Sequence, residues 1–215
     1  IMSKIFATGM VYLKVVGLTG GIGAGKTETA DILRKLGAEV LSADHLAHET
    51  YLPGTAGWSE IVEEFGQQVL TSGGEIDRNT LGSMVFQNLS KRERLNAIVH
   101  PRTRELIAER LRWLRDEGCR VAIVEVALLV EAIRMDVAWT KLIDEIWVVA
   151  APENTVVDRA VSRGGLDDEA VKARVQVQAT DDERREIADV VIENGGNLEL
   201  LTKRVQNLWW ERLAT

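Results

Sequence analysis

GGIGAGKT, residues Gly20 to Thr27, matches the phosphate-binding P-loop pattern G-x-x-x-x-G-K-[ST] in full. The apolar run before it, Val15-Val16-Gly17-Leu18, predicts a buried strand. Glycines let the backbone wrap around phosphate oxygens, and the helix predicted to begin at Lys26 presents its positive end to the same anion. A glycine-rich turn without a ligand is the alternative, but the strand–turn–helix setting favours a nucleoside triphosphate site.

The last two residues of the motif carry side chains with expected roles. Lys26 is expected to reach the β- and γ-phosphates, and the Thr27 hydroxyl is expected to bind Mg²⁺. The loop amides are expected to hold the phosphates of a nucleoside triphosphate. We therefore assign nucleotide binding to Gly21, Ile22, Gly23, Ala24, Gly25, Lys26 and Thr27.

The composition is that of an ordinary soluble protein, with 215 residues, of which 46% are hydrophobic and 27% are charged. A net charge of −7 argues against a broad nucleic-acid surface. Cys119 is the single cysteine, which excludes an intramolecular disulfide. No apolar run approaches the roughly 20 residues that a membrane span needs, and the residues before Lys14 lack a signal-peptide core. We expect a cytoplasmic protein without nucleic-acid or membrane partners, and the oligomeric state stays open.

Five short apolar segments predict the strands of a parallel sheet. Helical patterns lie between them, which indicates an α/β doubly wound fold. The segments cover about 13–18, 39–42, 120–126, 145–149 and 189–193.

The first crossover places a carboxylate at the ligand-binding edge of this sheet. A helix over 26–36 ends at Gly37, and a strand through Val40 returns to the edge that holds the P-loop. Asp44 follows that strand. We therefore expect Asp44 to lie near the bound phosphates.

The second crossover, residues 45–118, is far longer than one helix requires, so we expect an inserted helical subdomain that binds the acceptor. A purely structural cap is the alternative. Ser90 and Glu93 match a capping box, and Pro101 suits the first position of a further helix.

A second excursion follows the fourth strand. Arg159 and Arg163 are four residues apart, so they share one face of a predicted helix. They are expected to close on the transferring phosphate, with a solvated face as the alternative. The predicted organisation is a nucleotide-binding core of 11–44, 119–150 and 181–215, an insertion of 45–118 and a helical lid of 151–180.

These features favour a small-molecule kinase over a GTPase, because no guanine-reading Asn-Lys-x-Asp motif follows a late strand. The chain resembles the dephospho-CoA kinase family over residues 13–208. The resemblance rests on an ordered series: Gly17-Leu18-Thr19 with the P-loop, Ala43-Asp44-His45-Leu46-Ala47, Ile76-Asp77-Arg78 through Phe86, His100-Pro101, Leu128-Leu129-Val130-Glu131, Arg159 to Arg163, Gln178, and Ala188-Asp189 to Asn194-Gly195.

Two positions depart from the family pattern. Ser42 stands where the family's D-A-D-x-x-A has its first Asp, and Ala127 stands where P-L-L-x-E has Pro. The first departure removes any role of that carboxylate. The second is expected to alter the turn after the third strand.

The resemblance implies transfer of the ATP γ-phosphoryl group to the 3′-hydroxyl of dephospho-CoA, the last step of coenzyme A biosynthesis, with Mg²⁺. Asp44 would accept the proton of the attacking hydroxyl, alongside Lys26 and the lid arginines in catalysis. Glu125 would hold Mg²⁺ with Thr27, or make a buried hydrogen bond instead.

Three further positions are candidates for ligand contacts. Asn194 and Gly195 would contact adenine by family resemblance, with a plain turn as the alternative. Arg78 would bind a substrate phosphate, or be an ordinary surface residue. His100 is assigned to the substrate site or to helix packing, because Asp44 already fills the place of the base.

Two other functions remain open at this stage. A kinase for another small acceptor, such as a nucleoside monophosphate, would share the P-loop and the lid. A regulatory nucleotide-binding protein without turnover would share the P-loop alone.

Overall fold

The computed structural model describes residues 12–86, 88–152 and 179–214. The predicted lid helices, with Arg159, Arg163 and Gln178, lie outside the described residues. The predicted five-stranded sheet is confirmed, with strand order β2-β3-β1-β4-β5. β1 pairs in parallel with both β3 and β4, and β4 pairs in parallel with β5. The strands are β1 (Lys14–Gly20), β2 (Glu39–Ser42), β3 (Val121–Glu125), β4 (Glu145–Ala150) and β5 (Val190–Glu193).

Helices of the described residues connect and flank these strands. The predicted helix over 26–36 is confirmed, and Gly37 ends it in the left-handed region with φ 112°. The helices are α1 (Lys26–Leu36), α2 (Ala43–Glu49), α3 (Ala56–Phe65), α4 (Arg78–Phe86), α5 (Leu89–Asp116), α6 (Leu129–Arg134), α7 (Asp181–Glu186) and α8 (Leu198–Arg212).

The described chain divides into two compact units. The first comprises the chain up to Val40, Leu111–Val130, and Ile143 onward. Its core lies between the sheet and helices α1 and α8, where Leu18, Leu33 and Trp147 have no exposed surface. On α8, Trp209 packs into this core while its neighbour Trp210 is exposed, so only one member of the pair is a packing residue.

The second unit comprises Leu41–Arg110 and Glu131–Leu142. The main part of this unit begins at Leu41, before the predicted start of the insertion at residue 45, and it ends at Arg110, before the predicted end at residue 118. The unit also includes the later segment Glu131–Leu142. Residues from α3, α4 and α5 form a core of their own, together with residues between α3 and α4. This core contains Ile61, Phe65, Val69, Ile76, Leu81 and Val99.

Helix α5 differs from the prediction. Pro101 lies inside one continuous 28-residue helix and does not begin a new one. The capping box at Ser90 is also wrong, because the Asn88 side chain caps the helix by accepting a hydrogen bond from the Lys91 N–H at 3.0 Å. Val99, two residues before Pro101, belongs to the second unit's core. Tertiary packing thus outweighs the hydrogen bond that proline cannot donate.

Candidate nucleotide-binding and phosphoryl-transfer site

The P-loop connects β1 to α1 and places glycine where the backbone demands it. Gly25 is the N-cap of α1 and has φ 102°, in the left-handed region that disfavours other residues. Its carbonyl accepts hydrogen bonds from the Thr29 N–H at 3.0 Å and the Thr29 hydroxyl at 2.9 Å. The first turn of α1 is therefore held firmly against the loop, with its amides at the end that attracts anions.

Lys26 folds back over the same loop. Its Nζ donates to the carbonyl of Gly20 at 2.9 Å and to that of Gly21 at 3.1 Å. The ammonium group is thus held beside the loop backbone by neutral oxygens. Phosphate oxygens are stronger acceptors for an ammonium group than these carbonyls are.

Thr27 and Glu125 meet although 98 residues separate them in sequence. The Thr27 hydroxyl donates to Glu125 Oε1 at 3.1 Å. The sheet explains the meeting, because Leu18 of β1 lies opposite Glu125 of β3 in the parallel register. A hydroxyl and a carboxylate are hard oxygen ligands, so this pair fits Mg²⁺.

The pair would not enclose a metal ion by itself. Among the described residues, no group of three or more His, Cys, Asp or Glu side chains is placed to hold one. Mg²⁺ commonly binds one or two protein oxygens together with substrate phosphates and water. The two oxygen-bearing side chains of Thr27 and Glu125 fit that mode of binding.

Asn194 follows β5 and turns its side chain toward the P-loop backbone. Its Nδ2 donates to the carbonyl of Ala24 at 2.7 Å, and the residue is only 4% exposed. Gly195, next in the chain, is exposed. The predicted contact of these two residues with adenine stays a prediction.

Sequence reasoning did not predict a role for Arg184. It is buried in α7, and its Nη1 lies 2.8 Å from Asp181 Oδ1. A Cβ atom added to Gly21 would lie 3.6 Å from the same nitrogen. The run Asp181-Asp182-Glu183-Arg184-Arg185 resembles a solvated helix face, so no local signal separates Arg184 from the exposed Arg185, which pairs with Glu193 at 2.8 Å.

The remaining candidates lie in the second unit. Asp44 is in the first turn of α2, two residues after β2 ends, and it is exposed. Arg78 is the first residue of α4 and is also exposed. His100 lies within α5, where desolvation by its surroundings and the charge of Arg104 lower its pKa. His100 is therefore biased toward its neutral form.

Comparison with known proteins shows to which family the chain belongs. The Dephospho-CoA kinase family model matches residues 14–199. The chain belongs to the dephospho-CoA kinase family. The match spans the P-loop, Asp44, Glu125 and Asn194.

Relatives of the dephospho-CoA kinase family agree over nearly their full length. The dephospho-CoA kinase of Geobacter sulfurreducens is 41% identical, over 93% of this chain and 99% of its own. That of Thermobifida fusca is 44% identical, over 91% and 94%. The structure of dephospho-CoA kinase from Campylobacter jejuni superposes with a TM-score of 0.70 at 27% identity, over 94% and 98%.

Among the described helices, none is both long and apolar enough to cross a membrane.

Proposed function

We propose that this protein transfers the γ-phosphoryl group of ATP to the 3′-hydroxyl of dephospho-CoA, giving CoA and ADP. Membership of the dephospho-CoA kinase family over residues 14–199 carries this proposal. The P-loop, with Lys26, Thr27 and Glu125 gathered at the ends of adjacent strands, supports it. As the last step of coenzyme A synthesis, the reaction would take place in the cytoplasm.

The protein's part in such a reaction is mainly positioning and neutralisation of charge. Phosphoryl transfer passes through a loose transition state whose charge is spread over the equatorial oxygens. The loop amides of Gly21, Gly23 and Gly25 would hold the phosphates, and Lys26 would exchange its two carbonyl partners for phosphate oxygens. This exchange would bring a cation to the transferring group at little cost in lost hydrogen bonds.

Thr27 and Glu125 would hold Mg²⁺ through their two oxygens. When bound, the ion supplies positive charge to the phosphate oxygens. The 3.1 Å contact between the two side chains keeps both oxygens together before a metal arrives. Less rearrangement is then needed on binding.

Asp44 is proposed as the residue that accepts the proton of the attacking hydroxyl. It lies two residues beyond the carboxyl end of β2, and the carboxyl ends of parallel strands are where ligands bind. It is also the remaining carboxylate of the D-A-D-like segment, since the other is Ser42. An exposed carboxylate can accept a proton from a hydroxyl that it contacts in hydrogen-bond geometry.

The acceptor site and the lid complete the proposal. The insertion over 45–118 would bind dephospho-CoA, with Arg78 on a phosphate and His100 as a neutral contact. Arg159 and Arg163 in the segment 151–180 would close over the transferring phosphate and exclude water.

Product identification by mass spectrometry tests the proposal directly. The protein is incubated with ATP, Mg²⁺ and dephospho-CoA, and separately with AMP, CMP or shikimate as the acceptor. We expect CoA and ADP from dephospho-CoA and little turnover of the other acceptors. Strong turnover of AMP or CMP with none of dephospho-CoA would identify a nucleoside monophosphate kinase instead. ATP binding without turnover of any acceptor would identify a regulatory protein.

A further inference from the structure

We infer that Asn194 is a positioning residue that holds the P-loop in its phosphate-binding conformation, and that it does not read the adenine base. Two distances from the same nitrogen place its amide on the loop. Nδ2 donates to the Ala24 carbonyl at 2.7 Å. A Cβ atom added to Gly25 would lie only 2.1 Å from that nitrogen, so the amide occupies the space that any other residue would need.

The peptide between Ala24 and Gly25 explains how this contact acts. A trans peptide unit is planar, and its C=O and N–H groups point in opposite directions. Holding the Ala24 oxygen therefore fixes the direction of the Gly25 N–H as well. Gly25 is the N-cap of α1, so this N–H belongs to the turn that faces an anion.

The sheet fixes Asn194 itself. Its backbone N–H donates to the Ala150 carbonyl at 2.6 Å, and β4 pairs with β5 up to Ala150 opposite Glu193. The side chain of Arg204 on α8 donates to the Glu193 carbonyl. The backbones of Glu193 and Asn194 are thus both held by hydrogen bonds. The Asn194 amide therefore extends toward the P-loop from a fixed backbone position.

Burial makes the contact energetically significant. Asn194 is 4% exposed and Ala24 is 2% exposed, so water has little access to either group. A buried carbonyl that loses its donor is left without a hydrogen bond at a cost in free energy, and rotation of its peptide would relieve that cost. Such a rotation would turn the Gly25 N–H away from the phosphate. Loss of the Asn194 amide should therefore weaken phosphate binding itself.

The inference rests on the proposed function only in that ATP is the ligand. Binding measured without an acceptor tests the role of Asn194 separately from phosphoryl transfer. Inorganic pyrophosphate, ATP and GTP are titrated by calorimetry into the wild type, Asn194→Ala and Asn194→Asp. We expect Asn194→Ala to weaken all three by the same factor, about fivefold to tenfold. A loss confined to ATP, with pyrophosphate unchanged, would overturn the inference in favour of an adenine contact. Unchanged binding of all three would also overturn it.

Asn194→Asp keeps the size of the side chain and removes its N–H donors, so it decides the question even if the alanine variant fails to fold. The carboxylate is buried beside a carbonyl, so it is expected to bind a proton more readily than an exposed Asp does. The protonated form can donate to Ala24. Pyrophosphate affinity relative to wild type should therefore recover as the pH is lowered in this variant, and a flat profile would contradict the mechanism.

Asn197 provides the matched control in the same loop. Its Oδ1 accepts from the Leu200 N–H at 2.9 Å and caps α8. Asn197→Ala should lower the Tm through loss of the cap while leaving pyrophosphate binding unchanged. If it weakens pyrophosphate as much as Asn194→Ala does, the effect is general destabilisation and the positioning role is wrong.

Discussion

The phosphate-binding end of the first unit and the candidate residues of the second unit are built in opposite ways. Around the P-loop, Asn194 and Arg184 are buried, and Lys26 is held by two loop carbonyls. In the second unit, Asp44 and Arg78 are exposed, each at the beginning of a helix. The first arrangement is preorganised by the fold, while the second leaves its charged groups in water.

This difference follows from what each set of residues is proposed to do. Amides that hold phosphates are effective when the protein has fixed their directions before binding. A carboxylate that accepts a proton instead acts at the moment of transfer, in hydrogen-bond contact with the hydroxyl. Variants of the two groups should therefore fail in different ways, the first in nucleotide binding and the second in turnover.

The largest effect is expected for Asp44→Asn. The amide cannot accept the proton of the acceptor hydroxyl, so kcat should fall by about 10² to 10⁴ while the Kd for ATP stays within about twofold. Stopped assays of CoA formation and calorimetric titration of ATP measure the two quantities. Asp31→Asn, a change at an exposed carboxylate of α1 that pairs with Arg34, serves as the control. Full activity of the Asp44 variant would remove it from the reaction.

Glu125→Gln should have the next largest effect. Because a neutral amide oxygen binds Mg²⁺ more weakly than a carboxylate does, the Mg²⁺ concentration for half-maximal activity should rise about tenfold or more. The measurement is a Mg²⁺ titration at saturating ATP. Glu193→Gln alters another carboxylate at a strand end, one that pairs with Arg185, and should leave the titration unchanged. An unaltered Mg²⁺ requirement in Glu125→Gln would restrict that residue to its hydrogen bond with Thr27.

Arg184 and Arg185 form a matched pair for a smaller effect. Arg184→Gln removes a buried guanidinium beside Gly21 and should weaken ATP about tenfold, whereas Arg185→Gln alters an exposed ion pair and should change little. Calorimetric titration of ATP into both variants measures this, with Tm values recorded alongside. Equal ATP affinities in the two variants would mean that burial of Arg184 serves the fold alone.

The smallest effect concerns Asp77, which precedes α4 and accepts hydrogen bonds from the Thr80 hydroxyl at 2.7 Å and the Asn79 N–H at 2.9 Å. The bond from the Thr80 hydroxyl, followed by those from the backbone, lowers the pKa of Asp77. A lowered pKa stabilises the fold above the ordinary Asp pKa, and that stability is lost as pH falls through the folded-state value. The Tm difference between wild type and Asp77→Ala should therefore be largest at neutral pH and shrink as the pH falls below the ordinary pKa of Asp. A difference that does not change with pH would contradict this linkage.

Much of the fold was predictable because its signals are local. The strand segments, the bounds of α1 and its end at Gly37 follow from short apolar runs and from glycine chemistry. The beginning of helix α5 was predicted wrongly, because local sequence preferences place Ser90 at an N-cap and Pro101 in the first turn of a helix. In the folded chain Asn88 supplies the cap, and burial of Val99 supports the turn next to the proline.

The sequence by itself determined that a strand, a glycine-rich turn and a helix beginning at Lys26 would make a phosphate site, because each of those signals lies within a few residues. The sequence also named Glu125 and Asn194 as candidates, but only the tertiary structure decided which atoms their side chains contact. The register of β1 against β3 brings Glu125 to Thr27, and the end of β5 carries Asn194 to Ala24 across 170 residues. Strand order and register depend on packing of the whole sheet, and local periodicity contains no information about it.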